Sequence, residues 1–106
     1  RKMNMHKITS PDQFFDKFIS DLQLPANIHI QVNTLWEIIK PHDDIWQGKK
    51  PMGVAAALIY KASNESNNPR TQSEVCEIAN ISEVTLRGLL RLFNGLLQQL
   101  GHESLQ

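Results

Sequence analysis

The stretch Arg70-Thr71-Gln72-Ser73-Glu74-Val75-Cys76-Glu77-Ile78-Ala79-Asn80-Ile81-Ser82-Glu83-Val84-Thr85-Leu86-Arg87 contains two helix starts separated by a tight turn. Thr71 offers a capping hydroxyl, and Glu74, three residues later, can reach back to the Thr71 amide, so the pair forms a capping box. Val75, Ile78 and Ala79 then recur on one side of a helix. Asn80 falls where the turn needs a left-handed backbone, which glycine adopts most easily and asparagine next. Ser82 caps the following helix, with Ile81 and Leu86 spaced as a hydrophobic staple that fixes the angle of entry. Two helices around such a turn are the helix-turn-helix pattern, whose second helix commonly enters the DNA major groove.

Downstream, Leu86, Leu89, Leu90, Phe93, Leu97 and Leu100 form an apolar stripe. The opposite face carries Val84, Arg87, Gly88, Arg91, Gly95 and Gln98: small or polar residues with two arginines four positions apart. Upstream, Pro51 opens the run Met52-Gly53-Val54-Ala55-Ala56-Ala57-Leu58-Ile59-Tyr60-Lys61-Ala62-Ser63, which has almost no polar face before Lys61. A helix apolar all round is buried all round, and its alanines let neighbours approach closely, so this is the expected central helix. Two more helices precede it. Ser10-Pro11-Asp12-Gln13 reads as a capped start to a stripe of Phe15, Phe18, Ile19 and Leu22, ended by Leu24-Pro25. Ile28, Val32, Leu35, Trp36 and Ile39 mark the second, which Pro41 stops. The stretch from Pro41 to Gly48 reads as a loop or a frayed last turn, and no β-strand pattern competes anywhere. The fold class is therefore all-α, with five helices predicted.

The chain has 106 residues, one cysteine, and 11 basic against 11 acidic side chains, for a formal net charge of zero. That length suits one domain with a real core and no need for disulfides or metal. A lone cysteine makes an intracellular setting the default. No apolar run is long enough to span a membrane. A lone DNA-binding domain is usually basic, so any nucleic-acid surface here must be local. Between Asp12 and Asp44, six acids outweigh Lys17 and Lys40, whereas Lys49, Lys50, Lys61, Arg70, Arg87 and Arg91 fall in the second half.

The start of the last helix is the sharpest candidate site. Arg87 has the reach and fork for guanine or phosphate, and Val84, an apolar residue on a polar face, suits a thymine methyl group or a sugar. Thr85 and Arg91 fit backbone phosphates. Thr71 and Gln72, with Arg70 just before them, lie at a helix start whose free amides and dipole suit a phosphate. Lys49 and Lys50 precede the central helix and add two more candidate phosphate contacts. The competing structural readings are that Val84 pads a helix junction, Thr71 is a plain cap, Lys49 and Lys50 are loop lysines, and Arg87 pairs with Glu83. Cys76 reads as a small buried residue. His6, His29, His42 and His102 lack metal-ligand spacing, no phosphate loop appears, and no catalytic constellation emerges, so neither a cofactor nor an enzyme is expected.

Two stretches together resemble the transcription factor IIB family: Gly48 to Ser63, and Arg70-Thr71-Gln72 to Val84-Thr85-Leu86-Arg87. Their order and separation match the second cyclin-like repeat of that family's C-terminal core, over roughly residues 8 to 100. The resemblance implies a five-helix cyclin-like fold for residues 10–101, with 1–9 a linker from an upstream repeat and 102–106 a tail. It implies promoter DNA beside the TATA box, TATA-binding protein and, through the full-length protein, RNA polymerase as partners. A monomer is expected, in a nucleus or in an archaeal nucleoid. The family's base-contacting valine and arginine correspond to Val84 and Arg87, and its helix-turn-helix threonine to Thr71.

Some positions depart from the family. Leu58 stands for an alanine, Asn80 for the turn glycine, and Gly88-Leu89-Leu90 for a polar and then aromatic stretch. Gly88 removes a possible groove contact, which implies a reduced or altered sequence preference. No part of this chain matches the family's zinc ribbon, polymerase-contacting linker or first repeat, so DNA binding by this repeat alone is expected to be weak. Two other readings stay open: a cyclin-fold protein-interaction module with little DNA binding, and the equivalent repeat of an RNA polymerase III initiation factor.

Overall fold

Residues 11–46 and 48–101 are described by a computed structural model, in which all regular structure is helical. A 3-10 turn, Pro11–Phe14, leads into α1 (Phe15–Asp21). Then come α2 (Ala26–Ile39), α3 (Asp43–Trp46), α4 (Pro51–Glu65), α5 (Gln72–Ala79) and α6 (Glu83–Gln99). This is the all-α, cyclin-like architecture expected, with one short helix added. The predicted Ser10 cap, the 1–9 linker and the 102–106 tail lie outside the described residues.

The core is organised on α4. Every residue from Gly53 to Ile59 is buried, as are Ala62 and Ser63. The 3-10 turn, α1, α2, α5 and α6 all pack against it. Sequence alone dictates this: a helix without a polar face has no side to give to water. Gly53 marks the closest approach, because a β-carbon there would come within 3.1 Å of Leu89 Cδ1 on α6. Lys61 adds a polar tie to α6 by donating to Asn94 Oδ1 at 2.7 Å, and it also pairs with Glu65 at 3.1 Å.

Three local readings are corrected. The first turn of the first helix is 3-10, and α-helix begins only at Phe15. The Pro41–Gly48 stretch contains a full helical turn, α3, held by aromatic packing: the Trp46 ring meets Trp36 edge-on at 5.0 Å, and Trp46 Nε1 donates to the Lys40 carbonyl. On α6, Leu96 is buried, whereas Leu100, at the C-cap, is 38% exposed. The predicted stripe ran one turn too far because α6 passes beyond the core.

Candidate nucleic-acid interface

Local chemistry builds the motif formed by α5 and α6. The Thr71 hydroxyl accepts from the Glu74 amide at 3.0 Å, and Glu74 Oε1 accepts from the Thr71 amide at 2.9 Å, which completes the capping box. Asn80 closes α5 in the left-handed region at φ 59°. Ser82 Oγ accepts from the Thr85 amide at 3.1 Å and starts α6. Ile81, before that cap, is partly buried against the core. Val75, Cys76 and Ala79 are buried and Ile78 is partly so. Burial pushes the Cys76 thiol above its ordinary value, with the Glu83 carboxylate adding to the shift and Arg87 opposing it. That holds Cys76 as a neutral packing residue.

These caps fix which side of α6 faces outward. Leu86, Leu89, Leu90 and Phe93 turn into the core, while Arg87, Gly88, Arg91 and Gly95 are exposed. Val84 is 74% exposed, the most exposed large apolar side chain among the described residues. It therefore pads no helix junction, contrary to the bland reading. Arg87 Nη1 lies 3.8 Å from Glu83 Oε1, with both side chains about half exposed. That is a loose surface pair, worth little and easily exchanged for another anion.

Lys49, Lys50 and Arg91 carry no ion pair among the described residues. The two lysines share with α6 a groove of about 570 Å³, lined on the helix side by Val84, Thr85, Gly88 and Leu92. The Thr85 hydroxyl accepts from Ser82 Oγ at 3.0 Å, which leaves its own hydrogen to donate. The structure thus brings Val84, Thr85, Lys49 and Lys50 to one groove, with Arg87 and Arg91 on the exposed face of the same helix.

Arg70 and Thr71 sit differently. Arg70 Nε donates to the Leu22 carbonyl at 3.1 Å, Nη2 to that of Gln23 at 3.4 Å, and Nη1 to that of Pro69 at 3.0 Å. Its guanidinium is turned back onto the fold and ties the entry of α5 to the end of α1. The Thr71 hydroxyl and amide are both spent on Glu74, whose carboxylate occupies the helix start where a phosphate was expected. Gln72 is partly buried beside it. Sequence reasoning missed the Arg70 clamp, because its partners lie 47 and 48 residues away. No cluster of metal-ligating side chains occurs among the described residues. No described helix is long and apolar enough to cross a membrane.

The fold and this face define a helix-turn-helix carried on the edge of an all-helical, cyclin-like repeat. Residues 4–95 match the family model described as "Transcription factor TFIIB repeat". The chain belongs to that family. It is 42% identical over 77 residues to "Transcription initiation factor IIB 2" of Halobacterium salinarum, covering 73% of this chain and 23% of that protein. It is 38% identical over 88 residues to "Transcription initiation factor IIB" of Methanopyrus kandleri, covering 82% of this chain and 28% of that protein. A protein of the same name from Haloarcula vallismortis is 36% identical over 77 residues, 73% of this chain and 67% of that one. The chain thus spans about a quarter of the length of the first two relatives.

Proposed function

We propose that this chain is the DNA-facing repeat of a transcription initiation factor. It binds promoter DNA beside the TATA box, within a complex containing TATA-binding protein and RNA polymerase. In this reading α6 enters the major groove, Val84 and Arg87 meet base edges, and Lys49, Lys50, Thr85 and Arg91 meet phosphates. Arg70 and Thr71 serve by holding the motif in place, and Gln72 lies at its margin. The names of the relatives support the transcriptional role, and their archaeal sources suggest action at a nucleoid.

The observation that carries the proposal is the outer face of α6: an apolar side chain 74% exposed at its start and two arginines in the turns that follow, with two lysines that carry no ion pair among the described residues across the adjoining groove. Neutral net charge is no obstacle, since Lys49, Lys50, Arg87 and Arg91 are local to this face, no carboxylate lines the groove, and the acid on the same helix start, Glu83, is held only in the loose pair with Arg87. A salt titration of binding to a TATA-box duplex, with and without TATA-binding protein, tests it. Affinity should fall steeply with salt, and the double substitution Lys49→Ala, Lys50→Ala should reduce the log–log slope by about 2. A repeat that joins the protein assembly equally well without DNA would instead be the interaction module.

A further inference from the structure

We infer that the groove beside α6 receives the edge of one DNA strand and seats a thymine methyl group against Gly88, an inference that rests on the DNA reading above. The groove, about 570 Å³, has Lys49 and Lys50 on one wall and Val84, Thr85, Gly88 and Leu92 on the other, and no carboxylate lines it. Val84 is 74% exposed and Leu92 38%. A cavity cationic on one side and apolar on the other matches a nucleic-acid strand, with charged phosphates outside and apolar surface inside. In the major groove that apolar surface is the thymine C5-methyl group.

Of the two mid-helix glycines of α6 with open space around them, Gly88 lines this groove and Gly95 does not. A β-carbon at Gly53 would press on Leu89 Cδ1 at 3.1 Å, so that glycine is accounted for by helix packing. A β-carbon at Gly88 would meet nothing within 4 Å. A glycine within a helix weakens it relative to alanine, and nothing inside the fold accounts for this one. It leaves room at the middle of the groove wall, where any longer side chain would occupy the space of a base methyl. Thr85, with a hydroxyl hydrogen to spare, and the two lysines then hold the phosphates of the same strand. Gly88 is thus a determinant of specificity, and its gap defines a preference for thymine.

The test selects duplexes with randomised base pairs upstream of a TATA box, using this chain with TATA-binding protein, and then replaces each enriched thymine by uracil. Uracil lacks only the methyl group. One position should lose about fourfold in affinity on that change, the worth of one buried methyl group. Gly88→Gln, which fills the groove with a polar chain, should abolish the difference between thymine and uracil. Salt-dependent binding with thymine and uracil equivalent at every position overturns this inference and leaves the DNA reading standing. Absence of any salt-dependent DNA contribution overturns both.

Discussion

On its inner face α6 presents Leu86, Leu89, Leu90, Phe93, Leu96 and Leu97, none more than 9% exposed. On its outer face it presents Val84, Arg87, Gly88, Arg91 and Gly95, all open to solvent. The inner residues are large and interlocked with α4. The outer ones include two mid-helix glycines with nothing within 4 Å of where a β-carbon would stand. Folding explains the inner face completely and the outer face hardly at all. An exposed valine, two arginines and two unneeded glycines on one helix face point to a different constraint, and the function proposed above would supply it as contact with DNA.

The comparison is broken most severely from the inside. Phe93 is fully buried, and Phe93→Ala should cost about 3–5 kcal/mol in urea unfolding through lost burial and the cavity left behind. A cost below about 1 kcal/mol would mean the inner face is not packed as described. Next comes the clamp. Arg70→Met leaves the Leu22 and Gln23 carbonyls without their charged donor and should cost about 1–3 kcal/mol. Arg70→Lys should not restore it, because an ammonium group lacks the planar fork that reaches several carbonyls at once. If Arg70 were instead a phosphate contact, both variants would unfold like the native chain and Arg70→Met alone would lower the salt slope.

How much of this was legible in the sequence depends on the range of the forces involved. The capping box at Thr71 and Glu74, the left-handed Asn80 and the Ser82 cap are settled by groups within four residues of one another, and each stands where the sequence placed it. The burial of α4 was equally legible, since a run from Val54 to Ile59 without a polar side chain admits one environment. The α3 turn was hidden because Trp46 finds Trp36 across a chain reversal, and no local spacing encodes that contact. The Arg70 clamp was hidden for the same reason. The exposure of Val84 and the cations around it followed from helical periodicity. That Lys49 and Lys50 share a groove with Val84 required the packing of α4 on α6.

Smaller effects sharpen the contrast. Thr71→Ala removes the acceptor of the Glu74 amide and should cost about 1 kcal/mol in stability. Thr71→Ser should recover most of it, which a role in touching phosphate would not require. Gly88→Ala is expected to have the opposite sign: with open space around the site, it should stabilise the helix by about 1 kcal/mol in thermal or urea unfolding. Destabilisation by that substitution would show that Gly88 serves the fold after all.

The central claim is that the outer face of α6 reads DNA sequence. It is tested most directly by measuring, with TATA-binding protein present, affinity for a preferred and a scrambled upstream sequence, in the native chain and in Arg87→Ala. Among the described residues the one ion pair of Arg87 is its loose, half-exposed contact with Glu83, so unfolding should change by no more than about 0.5 kcal/mol. The ratio of the two affinities should collapse by about 5- to 100-fold, the discrimination carried by one bidentate base contact. An unchanged ratio, with Arg87→Ala binding both sequences as the native chain does, would contradict the account.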